Sequence, residues 1–206
     1  MLTLLLPFRF LLIPATLLAF GSIASVALAD PLPPMPSGPY TLDPRHTSVI
    51  FKISHLGFSH FTGRFDRAEG TYTYHADAPT QSTLDVTIYP GSVDTNDSEL
   101  DDTLRGENWF DTLKYPRATF HTTKIEPSGD NTAKITGDFT LHDITHTVTL
   151  DTTLVGAGKE PFTGAQVMGF SAIGTFNRSD YGIDNLEPFI GDEITLEIDT
   201  EFDKDM

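Results

Sequence analysis

A strict alternation of apolar and polar residues recurs along the chain and limits the fold more than any other feature. Residues 134–141 place Ile, Gly, Phe and Leu on one face and Lys, Thr, Asp and Thr on the other. Because side chains of a β-strand alternate between two faces, this period of two predicts antiparallel sheet with one face solvated. The pattern returns at 147–154 and 193–202, and over fewer residues at 84–88.

Turn-forming residues separate these segments, as in Pro90-Gly91 and in Ser-Gly-Asp-Asn at 128–131. About eight strands at this spacing are typical of all-β domains. Only residues 98–104 are predicted to be helical, with Asp94 or Thr95 as the N-cap. The periodicity fits a closed barrel and a sandwich equally well.

The first 29 residues read as a secretory signal peptide. They carry one charged residue, Arg9, then an apolar run that ends in Ala27-Leu28-Ala29. The alternative is an uncleaved membrane anchor. Residues 30–39 contain five prolines and are predicted to be an extended tether. Residues 40–206 then form one domain, large enough for a single hydrophobic core.

The charge and the cysteine count exclude several functions. The formal charge of −16 becomes −17 if cleavage removes Arg9. Such a chain repels nucleic acid and anionic headgroups, so neither is expected as a partner, and the mature protein is not expected to insert stably into a membrane. The chain has no Cys, which excludes thiol catalysis and thiolate metal sites.

Catalytic and metal-binding motifs are sparse. His142 and His146 are four residues apart, but the pair is predicted to flank a bend. Neither H-E-x-x-H nor G-x-S-x-G occurs. A mixed His and carboxylate site assembled across strands stays open as an alternative. The sequence therefore predicts no catalytic residue, no metal and no resident cofactor, and favours a protein that is not an enzyme.

The aromatic residues are more informative. The chain has fifteen Phe, six Tyr and one Trp. Trp109 and Phe110 fall in the loop-like stretch 108–116 rather than on a strand. They either plug one end of the fold or help to line a long apolar cavity, as in the mouths of ligand-carrying barrels.

Short motifs spread over residues 40–202 resemble, in order, those of the YceI-like family of secreted lipid-binding proteins. Any one of them is weak, but the ordered set is specific. Two departures concern Thr103, where the family usually has His, and Trp109-Phe110, where it often has Phe-Phe. The matching motifs are Asp43-x-x-His46-Thr47-Ser48-Val49, His55-Leu56-Gly57-Phe58-Ser59, Gly63-Arg64-Phe65, Leu104-Arg105, Phe110-Asp111, Tyr115-Pro116-x-Ala118-x-Phe120, Gly137-Asp138-Phe139-Thr140, Arg178-Ser179-Asp180-Tyr181-Gly182 and Gly191-Asp192-Glu193-Ile194.

The resemblance implies an extended, eight-stranded, lipocalin-like antiparallel barrel with one short helix. It implies a periplasmic or secreted protein that holds a polyisoprenoid or isoprenoid-quinone chain in its lumen, and dimers are common in the family. Two alternatives stay open: a hydrolase or isomerase acting on such a lipid, and a partner protein whose core is aromatic. The residues expected to line the apolar lumen are Phe51, Ile53, Phe65, Trp109, Phe110, Phe120, Phe139, Phe170 and Phe176.

The densest basic group of the chain suggests a place for the lipid headgroup. We expect it to gather at the mouth of the lumen and to favour a neutral quinone or alcohol over a diphosphate. The alternative is that its arginines pair with neighbouring acids such as Asp66 and Glu69. This basic group consists of Arg45, Arg64 and Arg67 with His46, His55 and His60. The residues assigned to the mouth are Arg45, His46, His55, His60 and Arg64.

Overall fold

The computed structural model describes residues 33–205. The predicted signal peptide and residues 30–32 of the predicted tether lie outside this range. Within the rest of the tether segment, Met35 is buried in the hydrophobic core and the first strand begins at Gly38. The boundaries of leader, tether and domain stay a prediction.

The described residues form eleven β-strands, one α-helix and three short 3₁₀ turns. The 3₁₀ turns are Pro79–Gln81, Pro90–Ser92 and Arg178–Tyr181. The strands and the helix are β1 (Gly38–Leu42), β2 (Ser48–His55), β3 (Ser59–Phe65), β4 (Ala68–Tyr74), β5 (Thr83–Ile88), β6 (Val93–Asp94), α1 (Ser98–Arg105), β7 (Ala118–Pro127), β8 (Thr132–Leu141), β9 (Ile144–Lys159), β10 (Gln166–Asn177) and β11 (Ile190–Lys204).

The strands close into an eight-stranded antiparallel barrel. Three pairs of short strands, β1 with β2, β3 with β4 and β5 with β6, are halves of longer strands interrupted by a bend. Counted as eight long strands, each pairs with the next along the chain, and β11 closes the barrel by pairing with β10 on one side and with both β1 and β2 on the other. This up-and-down order confirms the lipocalin-like barrel and decides against a sandwich.

The alternation in sequence becomes the inner and outer faces of the barrel wall. In β8 the apolar set Ile135, Gly137, Phe139 and Leu141 is buried, and β9 and β11 follow the same rule. The outer faces are joined by cross-strand polar pairs, for example Thr136 with Thr149, whose hydroxyl oxygens are 2.9 Å apart. Burial of one face and hydrogen bonding on the other fix the register of each strand.

Two glycines make room for aromatic rings inside the wall. Gly63 lies directly across from Phe51 in the β2–β3 pair, and a Cβ atom at Gly63 would collide with the Phe51 ring. A Cβ atom at Gly137 would collide with the Phe120 ring in the same way. The space that a side chain would take at each glycine is therefore occupied by a neighbouring aromatic ring.

The helix lies where the sequence predicts it, but its cap is different. The N-cap of α1 is Asp97, whose side chain accepts hydrogen bonds from the amides of Glu99 and Leu100. The prediction of Asp94 or Thr95 is wrong because both side chains are engaged elsewhere. Asp94 accepts from the Asn96 amide, and the Thr95 hydroxyl donates to Asp101. Within residues 33–205 no helix has the length and apolar character needed to cross a bilayer.

Candidate functional site

The barrel encloses two adjoining cavities. The larger is about 520 Å³ and the smaller about 350 Å³, and Ile88, Phe139 and Leu196 form walls of both. Both volumes fall in the range of small-molecule sites, roughly 300–1,000 Å³. The lining of each is mostly aliphatic and aromatic, with polar residues in the minority. The lumen is therefore hollow on both sides of these shared wall residues rather than a filled core.

The larger cavity lies at the end of the barrel that carries α1. The loop after α1 folds back on the helix, since the Phe110 amide donates to the Leu104 carbonyl at 2.9 Å and the Trp109 amide to Gly106 at 3.0 Å. This return brings both aromatic rings to the cavity wall. Phe110 stacks edge-on against Phe65 with ring centroids 5.5 Å apart. Both rings therefore line the cavity, and their role in binding stays a prediction.

The smaller cavity occupies the opposite half of the barrel and extends to the β7–β8 turn, residues 128–131. Tyr72 and Phe170 form part of its wall, with ring centroids 5.4 Å apart. Burial raises the pKa of the Tyr72 phenol, so this hydroxyl stays neutral at physiological pH. Among residues 33–205, no Lys or Arg lines this cavity. Such a wall favours an uncharged, apolar guest over a charged one.

The structure brings all nine residues predicted for the apolar lumen to these two cavities. Their role in binding a ligand stays a prediction. Phe139 lines both cavities, Phe120 and Phe170 line only the smaller one, and the other six, which line only the larger one, are Phe51, Ile53, Phe65, Trp109, Phe110 and Phe176.

The residues predicted for the headgroup are not brought together. Arg45 and His46 lie in the bend between β1 and β2, beside the buried Asp43. The His46 ring nitrogen Nδ1 is 2.7 Å from an Asp43 carboxylate oxygen. Burial alone would raise the pKa of Asp43, but the Arg45 amide and His46 outweigh it and lower that pKa. The hydrogen bond to Asp43 raises the pKa of His46. These groups hold the bend.

The other three predicted residues separate according to the alternation of their strands. His55 continues the inward face of β2 and lines the larger cavity. His60 is exposed on β3, and Arg64 points outward and pairs with Asp66 at 2.8 Å. Phe61 and Phe65, one position away from these two residues, line the cavity instead. Only His55 of the predicted group therefore lies at the lumen.

The sequence analysis missed Arg178, which lines the larger cavity and is 3% exposed. Its guanidinium donates to four backbone carbonyls, of Ile183, Asn185, Ile190 and Gly191, at 2.8–3.0 Å. The guanidinium also lies 5.6 Å from the centre of the Trp109 ring. Position 178 continues the inward parity of β10, so the alternation could have identified it.

Polar side chains, one of them the acidic Glu107, complete the mouth of the larger cavity. Asn108 and Asn185 line it from the loops on either side, and Thr103 and Glu107 lie on α1 and just after it. An amide side chain offers both donors and an acceptor, which suits a carbonyl or hydroxyl group. The opening is therefore able to hydrogen-bond a small polar head.

The histidines outside the lumen have structural contacts. His142 stacks on Tyr115 with ring centroids 4.5 Å apart, and His146 lies 3.1 Å from the Asp180 carbonyl oxygen. His142 lies within the turn at 142–143 rather than before it, and His146 lies on β9. Among residues 33–205 no three or more His, Asp or Glu side chains are grouped so that they could hold a metal ion.

Comparison with known proteins agrees with this geometry. A family profile described as a YceI-like domain matches residues 40–202. The chain belongs to the YceI-like family. Protein YceI of Escherichia coli is 41% identical over 139 residues, covering 68% of this chain and 72% of that protein. A UPF0312 protein of Pseudomonas savastanoi pv. phaseolicola is 36% identical over 159 residues, covering 77% and 81%.

Solved structures of the same fold include BcnA of Burkholderia cenocepacia, with a TM-score of 0.70, 23% identity, and 78% and 98% of the two chains covered. Another is a polyisoprenoid binding domain from Saccharophagus degradans, with a TM-score of 0.60, 16% identity, and 81% and 98% covered. At these identities the likeness concerns the fold. The positions where this chain departs from the family pattern, Thr103 and Trp109, both line the larger cavity.

Proposed function

We propose that this protein binds and carries a long isoprenoid lipid, a quinone or an alcohol, inside its barrel. The observation that supports this most is the apolar lumen formed by two adjoining cavities. The structural neighbour described as a polyisoprenoid binding domain supports the class of ligand. We place this carrier in the periplasm or outside the cell, after cleavage at Ala29, and assign it binding rather than turnover. The homodimer expected from the family stays a prediction.

We propose a neutral head because cationic side chains at the lumen are scarce and most of their hydrogen-bond donors are already used by backbone carbonyls. In the part of the chain that the structure describes, Arg178 is the only Lys or Arg that lines either cavity. A guanidinium has five N–H donors, and four of the five bind backbone carbonyls here. A diphosphate would need several charge-assisted hydrogen bonds to offset its desolvation. His55, Asn108 and Asn185 suit a carbonyl or hydroxyl head better.

The tail supplies most of the affinity. Each five-carbon unit that leaves water gains roughly 3–4 kcal/mol before other terms, at about 0.8 kcal/mol per methylene-sized group. Eight such units would exceed the practical ceiling of about 18–21 kcal/mol, so ordering of the flexible tail offsets much of the gain. Tail burial is non-directional, and selectivity then comes from lumen length and from the groups at the mouth.

Competition binding tests the proposal. A fluorescent prenyl probe is displaced by a prenyl alcohol, an isoprenoid quinone and a prenyl diphosphate with tails of equal length. We expect the alcohol and the quinone to bind at least about tenfold more tightly than the diphosphate, a difference of about 1.4 kcal/mol. Asn108→Lys adds a cation at the mouth and should narrow that gap. Tighter binding of the diphosphate by the wild type would contradict the neutral head.

A further inference from the structure

Large apolar side chains are exposed on two adjoining loops beside the larger cavity. Leu56 and Phe58 lie on the β2–β3 turn and are 46% and 89% exposed. Leu186 and Phe189 lie on the loop before β11 and are 54% and 64% exposed. We call these four residues the apolar rim. An exposed apolar cluster of this kind marks an interaction surface more often than four scattered residues do.

The two loops are tied to each other. The Leu56 amide donates to the Phe189 carbonyl at 2.8 Å, and the Ile190 amide donates to the Leu186 carbonyl at 3.0 Å. Both leucines have left-handed backbone, with φ of 53° and 61°. A branched residue seldom adopts this conformation, and it persists where the surrounding structure holds it. The rim is therefore a built surface rather than a pair of loose loop tips.

The rim is continuous with the mouth of the lumen. Leu186 belongs to the rim and also lines the larger cavity. His55 and Ile190, the chain neighbours of Leu56 and Phe189, line the cavity as well. An apolar guest leaving the lumen here would pass directly onto the rim. A chain of isoprene units has little solubility in water, so its transfer needs an apolar surface at the mouth.

The charges of these loops select the kind of surface that they can approach. Residues 53–63 contain no Lys or Arg, and residues 182–194 contain four acidic residues and no Lys or Arg. An anionic surface would repel such loops, and the formal charge of −16 adds to the repulsion. Attraction must then come from the apolar side chains alone. A bilayer of neutral headgroups fits these conditions.

The opposite end of the barrel provides a contrast. Phe162, on the β9–β10 turn, is 95% exposed, yet it does not line either cavity. Exposed phenylalanines therefore occur at both ends of the barrel. Those at the α1 end lie beside an opening of the lumen, and Phe162 does not. Phe162 is a matched control for the two rim phenylalanines.

We propose that the apolar rim is a membrane-docking surface that inserts shallowly into a bilayer of zwitterionic lipid and sets the mouth of the larger cavity against the hydrocarbon. The reason for docking rests on the proposed carrier function, since a soluble carrier of a long lipid must load from a bilayer. The chemistry of docking is that of interfacial side chains, with Phe58 and Phe189 as the main anchors.

Vesicle binding tests the rim. Wild type, Phe58→Ser, Phe189→Ser, the double variant and the control Phe162→Ser are mixed with vesicles of phosphatidylcholine and separated by flotation. The fluorescence of Trp109, the only tryptophan, is followed in parallel with brominated phosphatidylcholine as the quencher. Binding of a short-chain quinone in vesicle-free buffer is measured for each variant, and circular dichroism reports folding.

We expect wild type and Phe162→Ser to bind phosphatidylcholine equally, with Trp109 quenched by the brominated lipid. Each rim substitution should weaken partitioning about tenfold, and the pair more, with quinone binding unchanged. Mixing phosphatidylglycerol into the vesicles should weaken binding. Wild type that binds quinone but not vesicles overturns the docking proposal alone. A dimer that buries the rim and does not bind vesicles also overturns the docking proposal. If the wild type does not bind the quinone, that result overturns the carrier function instead.

Discussion

Replacement of Arg178 by methionine should destabilise the barrel strongly. The substitution keeps much of the apolar stem but leaves the carbonyls of Ile183, Asn185, Ile190 and Gly191 without their donor. A buried acceptor without a partner costs about 1–3 kcal/mol. Because water in the cavity mouth can reach some of these oxygens, we expect a total loss of about 3–5 kcal/mol in the free energy of unfolding. A domain of this size has about 5–15 kcal/mol in all.

Urea unfolding followed by circular dichroism measures this loss. Arg178→Lys keeps the charge, but three donors on one nitrogen cannot serve four carbonyls, so this variant should lose about half as much. The matched control is Arg64→Met, since Arg64 is half exposed and only pairs with Asp66. That control should change the stability by less than about 1 kcal/mol. A loss below about 1 kcal/mol for Arg178→Met would refute the reasoning.

Three further predictions concern the lumen, the helix and the bend. Ala172→Phe narrows the smaller cavity. Calorimetry should then show that long prenyl chains bind at least about tenfold more weakly, while the affinity for short prenyl chains is unchanged. Ser171→Phe, whose side chain points outward, is the control. Asp97→Ala removes the cap of α1 and should cost about 1 kcal/mol in urea unfolding; an unchanged midpoint would contradict the cap. Asp43 has a lowered pKa and His46 a raised one, so their pairing stabilises the fold between about pH 4 and 6.5. The loss of folding stability caused by His46→Gln should be largest in this pH range. It should fade as the pH falls through the folded pKa of Asp43 or rises through that of His46, and a pH-independent deficit would contradict this account.

Much of the barrel could be predicted because period-two patterning acts locally. Each strand's inward set follows from its own sequence, which is why residues as distant as Phe51 and Phe170 were both assigned to the lumen and both line a cavity. Closure of the sheet is not local. It depends on β11 pairing with β1 and β2, about 150 residues away in sequence, and only the family resemblance indicated it.

The five residues predicted to bind the headgroup do not come together, because that prediction relied on their nearness along the chain. Which side chains face the lumen depends instead on the alternation along each strand. Arg64 neighbours Phe65, and alternation alone sends one side chain outward when the other points inward. Arg178 was missed for the opposite reason, since it is far in sequence from the other basic residues. The same parity rule, applied to β10, places it at the lumen. The N-cap at Asp97 was missed because each of residues 94–97, Asp, Thr, Asn and Asp, is of a type that can cap a helix.

Native mass spectrometry of the protein purified without detergent tests the central claim most directly. The account predicts a population whose mass exceeds that of the chain by one long isoprenoid lipid, and organic extraction should release a quinone or a prenyl alcohol. A protein that carries no lipid as isolated, and that takes up none after incubation with isoprenoid quinone, would contradict the claim that the lumen is a lipid site.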